Sequence, residues 1–95
     1  MELSDVEPLV GQLFDVPADA EGEVYVQLTL ISASAYGQGN EFRAVPFSLL
    51  FDGPSSHPLE QGSYPVRHET LGEQAIFLVP ISDNGTVRQY QAIFN

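Results

Sequence analysis

Apolar and polar residues alternate with a two-residue period along most of this chain, and that period predicts strands. From Glu23 to Ala33, Val24, Val26, Leu28 and Leu30 fall on one side and Tyr25, Gln27, Thr29 and Ile31 on the other, as in a strand with one buried face. Glu41 to Asp52 repeats the pattern, with Phe47, Leu49 and Phe51 inward and Ser48, Leu50 and Asp52 outward. Pro46 lies inside this segment and predicts an edge position or a bulge. A shorter strand, Ser63 to Glu69, places Tyr64, Val66 and His68 together.

Gln74 to Asn95 reads as a hairpin closed by Asn84-Gly85, the pair best suited to a two-residue turn with φ > 0 at both positions. Pairing Asp83 with Thr86 sets Ile81 against Arg88, Val79 against Tyr90, Phe77 against Ala92 and Ala75 against Phe94 on an inner face. The outer face then pairs Pro80 with Gln89, Leu78 with Gln91 and Ile76 with Ile93. A slip of one residue would mix these faces, so this register is the expected one. Pro80 lacks an N–H, which predicts a free edge or a local bulge on the outer side of its strand.

The N-terminal stretch is different. Leu3, Val6, Leu9, Val10, Leu13 and Phe14 recur at helix-like spacing, and Ser4 with Glu7 resembles a capping box. Pro8 and Gly11 oppose a long helix, so a short helical turn near Ser4–Val10 and an extended piece near Gln12–Val16 are expected. Residues 17–22, 34–40 and 53–58 have loop compositions. These elements predict a single all-β domain over residues 1–95, with an acidic flank over 1–22 carrying the helical turn and a β core over 23–95. Five to six antiparallel strands make it a sandwich or a small, partly open barrel.

Composition narrows the function classes. The chain has no cysteine, which excludes disulfides and thiolate metal sites. Three Arg and no Lys stand against 13 Asp and Glu, for a net charge of −10. Such a surface repels nucleic acid and anionic membranes. Seven of the 13 acids fall in the first 23 residues, a solvated face suited to solubility, to high salt or to docking on a basic partner. The N-terminus lacks the basic and apolar regions of a secretory signal, and no apolar run reaches membrane-span length. A cytoplasmic protein is expected.

Candidate chemistry is sparse. His57 sits in a proline-flanked loop, and His68 cannot readily meet its neighbour Glu69, because adjacent strand residues point to opposite faces. A pocket joining His68 to Asp52 or Glu73 would be needed for acid–base work. No Gly-x-Ser-x-Gly is present, Gly37-x-Gly39 does not sit in a βαβ unit, and Asp83-Asn84-Gly85 lacks the rest of a calcium loop. Glu21 and Glu23 lie in acidic, loop-like sequence and read as solvated. Neither catalytic, cofactor nor metal residues are assigned, and no enzyme activity is expected. Large apolar residues on the outer faces stand out instead: Tyr25, Ile31, Leu50, Ile76, Leu78 and Ile93. They suit a partner-binding surface or self-association, unless Leu3–Phe14 folds back to cover them.

The residues Phe47-x-Leu49-x-Phe51-x-Gly53-Pro54, Leu59-x-Gln61-Gly62-x-Tyr64, Leu71-Gly72, Phe77-Leu78-Val79-Pro80-Ile81 and Tyr90-x-Ala92-x-Phe94-Asn95 resemble a family of small bacterial domains of unknown function. The resemblance runs from about Val24 to the end of the chain and rests on core and turn residues. It implies a β domain encoded near tail-collar-type fibre proteins of phage-like systems. The expected function is therefore non-enzymatic, through protein–protein contacts, in tail-fibre-like assembly. The alternative is a small carbohydrate- or ligand-binding module stacking its ligand on Tyr25, Tyr36, Tyr64 or Tyr90.

Overall fold

One-sided burial along each alternating segment is satisfied by wrapping the strands around a common interior. The computed structural model describes residues 1–18, 23–41 and 44–95. A short helix α1 (Leu3–Val6) and a 3-10 turn (Glu7–Leu9) precede β1 (Leu13–Pro17), β2 (Val24–Ala35), β3 (Phe47–Pro54), β4 (Gly62–His68), β5 (Gly72–Asp83) and β6 (Val87–Phe94). The six strands close into an antiparallel barrel in the order β1-β2-β3-β6-β5-β4. The structure thus selects the barrel over the sandwich, and closes it where a partly open form was expected. Part of the expected 17–22 loop, including Glu21, and residues 42–43 of the 41–52 segment lie outside the described residues.

The inward faces of β2 and β3 are those the alternation predicts: Val26, Leu28 and Leu30, and Phe47, Leu49 and Phe51, are all buried. Strand β3 begins just after Pro46, so the proline needs neither an edge nor a bulge. A bulge does break the β2–β3 ladder, between Leu30 and Ser32. Gly53 gives β3 its close approach to the core. A β-carbon there would lie 2.6 Å from Leu28 Cδ2 and 3.5 Å from Tyr90 Cε2. Phe14 and Phe51 meet edge to face at 5.5 Å, filling the space between β1 and β3.

The described part of the expected flank, residues 1–18, belongs to the barrel. Phe14 and Val16 of β1 lie in the core, and Val6 and Leu9 join them from α1 and the 3-10 turn. The capping box lies two residues earlier than expected: Glu2 caps the helix, and its N–H donates to Asp5 Oδ2 at 2.7 Å. The N-terminal segment therefore closes one end of the barrel, beside the β2–β3 connection, and leaves Ile31 and Ile93 uncovered.

The opposite end is closed by the β3–β4 connection, which must cross the barrel because β3 and β4 are not neighbours. Leu59, in this crossover, is buried. Its N–H donates to Tyr90 Oη at 2.9 Å, and its carbonyl accepts from Arg88 Nε and Nη2 at 3.3 and 3.2 Å. Arg88 also lies over the Tyr90 ring, 5.7 Å from its centroid, and pairs with Asp83 at 3.4 Å. Asp83 accepts a hydrogen bond from Ser55 Oγ at 2.6 Å, which ties the hairpin tip to the crossover.

That network gives Asp83 a testable acid signature. The Ser55 hydroxyl, the Gly85 N–H and Arg88 hold its carboxyl below its ordinary value of 3.8. A lowered folded pKa contributes stability above the unfolded value, and that contribution is lost as pH falls through the folded one. Asp83→Asn is therefore expected to flatten the acid limb of the stability profile below about pH 4. Thermal unfolding of both proteins across an acid pH series checks this; parallel acid limbs would show that Asp83 contributes nothing.

The terminal hairpin forms, but in another register. Its first ladder pair is Asp83↔Arg88, leaving residues 84–87 as the turn, and a bulge at Ile81 separates Ser82↔Gln89 from Pro80↔Tyr90 and Val79↔Gln91. The wider turn moves the ladder by two residues and the bulge takes one back. Beyond the bulge, every β5 side chain therefore lies on the face opposite to the one expected. Ile76 and Leu78, expected on the outer face, are 1% and 0% exposed, whereas Phe77 is 51% exposed. On β6 the expected faces hold: Tyr90 and Ala92 point inward and Ile93 outward. The bulge beside Pro80 falls within the β5–β6 ladder, and on the strand's other side pairing with β4 stops at Gly62↔Leu78, so Pro80 has the free edge expected there.

Candidate functional site

The histidines are separated and each is held by local structure. His68 is buried at the end of β4, its ring 4.7 Å from that of Phe14. Nδ1 accepts the Thr70 N–H at 2.9 Å and the Leu71 N–H at 3.4 Å, which assigns the ring proton to Nε2 and makes it the donor to Gln12 Oε1 at 2.7 Å. Both nitrogens are thus engaged in tying the β4–β5 turn to Gln12, the residue before β1. Glu73 pairs with Arg67 at 3.1 Å, and Asp52 accepts from Gln89 at 3.0 Å. Neither carboxylate is joined to His68. His57 is exposed in the crossover, bonded to Ser56 and edge-on to Tyr25. Among the described residues, no group of three His, Asp or Glu could hold a metal ion.

The tyrosines divide in the same way. Tyr90 is fully buried, out of a ligand's reach. Tyr64 donates to the Glu60 carbonyl at 2.7 Å, and Tyr36 to the Phe94 carbonyl at 3.2 Å. Tyr25 lines a shallow groove of about 550 Å³ with His57, Leu13, Val24, Gln27 and Pro54. A second cleft, about 580 Å³, lies between Glu2, Leu3, Ser4 and Glu7 of the N-terminal segment and the β2–β3 connection.

What the barrel does assemble is an outer sheet face. Cross-strand pairing aligns Ser32 of β2, Leu50 of β3, Gln91 of β6 and Val79 of β5 in one row. The next row runs from Ser34 through Ser48 to Ile93. Phe77 comes two residues past Val79 on β5, just as Ile93 comes two past Gln91 on β6. Ile31, at the β2 bulge, borders the first row. None of these side chains is charged, although the chain as a whole carries −10. Ile93, Phe77 and Ile31 are 55%, 51% and 40% exposed, while Leu50 and Val79 are half-buried.

Of the six sequence-derived surface residues, Ile31, Leu50 and Ile93 come together here. Tyr25 is exposed elsewhere, on the part of β2 beside the crossover, and Ile76 and Leu78 are core. Phe77 and Val79 occupy the outer positions assigned to them. Their own hydrophobicity could not signal this, because both faces of β5 are apolar.

A family model described as a domain of unknown function, DUF6916, matches residues 1–94. No curated protein and no solved structure matches the chain. No helix among the described residues is long and apolar enough to cross a membrane.

Proposed function

The chain belongs to the DUF6916 family, whose function is unknown, and we propose that it is a non-enzymatic structural or accessory protein acting through protein–protein contact. The observation that carries this reading is the charge-free face centred on Phe77, Leu50 and Ile93. Interface cores are depleted of charge and keep polar groups at the rim, and an exposed apolar patch on an otherwise acidic domain fits that description. Thirteen acids against three Arg make a second copy a like-charged neighbour. A partner with an apolar centre and basic rim is favoured over self-association by the same Coulombic argument. The resemblance to domains encoded beside phage-like tail fibres supports a role next to such a fibre during assembly.

Size exclusion with light scattering, on the protein alone and mixed with a fibre protein encoded beside it, tests the proposal. A complex is expected, weakened about tenfold or more in a folded Phe77→Glu/Ile93→Glu variant if these side chains act as anchors. A strict monomer that ignores the fibre protein would sink the reading. Ligand binding, the second reading, rests on the Tyr25–His57 groove, and a sugar panel that raises the melting temperature would favour it.

A further inference from the structure

The hairpin tip contains the only Asn-Gly pair in the chain. Such a pair is chemically labile in an open chain, because glycine offers no side chain to hinder attack of its backbone nitrogen on the preceding side-chain carbonyl carbon. We infer that Asn84 is a self-modification site held closed by the folded turn: the groups that must react are engaged elsewhere, and succinimide formation proceeds when the turn opens.

The chemistry needs no reagent but water. The Gly85 amide nitrogen loses its proton and bonds to Asn84 Cγ. The Cγ–Nδ2 bond breaks with its electron pair passing to nitrogen, which takes up the proton and leaves as ammonia. Water then adds to either carbonyl of the cyclic imide and a ring C–N bond breaks, giving aspartate or isoaspartate.

Each reacting group is occupied in the fold. The Gly85 N–H donates to Asp83 Oδ1 at 2.8 Å. An adjacent carboxylate disfavours the deprotonated amide, since both would be anionic. Asn84 Oδ1 accepts the Thr86 N–H at 2.9 Å and the Val87 N–H at 2.8 Å, holding the carboxamide across the turn. The Asn84 N–H is itself bonded to the Val87 carbonyl at 3.1 Å. Asp83 is fixed in turn by Ser55 and Arg88. Conversion would place a new carboxylate, or an extra backbone carbon, beside the contacts that hold Leu59 across the barrel end. Local opening of the tip would then become irreversible.

Peptide mapping by mass spectrometry, during incubation at mildly alkaline pH, follows the fraction of Asn84 converted. The chain in urea is expected to convert at least about tenfold faster than the folded protein, the factor that corresponds to breaking a single charge-assisted hydrogen bond. Asp83→Ala, shown to be folded by circular dichroism, is expected to lie between the two. Equal rates in folded and unfolded wild type overturn the inference, as does a folded Asp83→Ala that converts no faster than wild type. Gly85→Ala in urea is expected to slow the reaction; an unchanged rate there rules out the succinimide route.

Discussion

Leu78→Ala is expected to lose about 2–5 kcal/mol of stability, while Phe77→Ala changes it by no more than about 0.5 kcal/mol. The two residues are adjacent on one strand and similar in hydrophobicity, so only the face each occupies separates them. Leu78 is fully buried, and truncation leaves a cavity that the surrounding barrel can only partly close. Phe77 lies half in solvent opposite Ser63 of β4, where truncation removes surface contacts and little else. Urea denaturation midpoints of the two variants give a direct comparison. A larger loss at Phe77 would restore the two-residue turn and reverse the faces of β5. It would also take Phe77 and Val79 out of the proposed contact face.

Tyr90→Phe is expected to cost about 1–3 kcal/mol although it removes one oxygen atom. That oxygen accepts the N–H of Leu59, a buried residue, and phenylalanine leaves the donor without a partner. Tyr90→Ala should cost about 3–5 kcal/mol, since a cavity is added to the orphaned amide. For a domain of this size each kcal/mol lowers the melting temperature by roughly 4–8 °C, so thermal unfolding resolves the two variants. Limited proteolysis supplies an independent readout. Tyr90→Phe should expose the 55–61 crossover to cleavage before the strands, because Leu59 loses one of its two anchors while Arg88 retains the other. Cleavage spread evenly over the chain would show that Tyr90 stabilises the barrel without holding the crossover.

Much of the architecture was legible because burial on one face imposes a two-residue period. Val26, Leu28 and Leu30, or Phe47, Leu49 and Phe51, have no other arrangement as strands that removes all three from water together. The helix-like spacing of Val6 and Leu9 was equally readable, and both are buried from a short helical segment. Where the pattern was ambiguous the reading failed. Ala75, Phe77, Val79 and Ile81 form one apolar set on β5 and Ile76, Leu78 and Pro80 form another, so periodicity cannot choose between them. Turn chemistry is then the remaining local signal, and Asn84-Gly85 points to too tight a connection. In the folded chain Asn84 Oδ1 reaches the amides of Thr86 and Val87 and supports a wider turn. The same ambiguity explains why the charge-free outer face holds Ile31, Leu50 and Ile93, placed outward by the pattern, and also Phe77 and Val79, which the pattern places inward.

Local sequence was sufficient for the existence of the strands and the inward side of β2, β3, β4 and β6, because these depend on neighbours two to four residues away, and composition alone gave the chain's acidity. Barrel closure, the phase of β5 and the Tyr90–Leu59–Arg88 latch depend on residues brought together from distant segments. Leu78 faces inward because the closed barrel has a single interior, which it must share with Leu49 and Tyr90. That constraint does not exist until all six strands are in place.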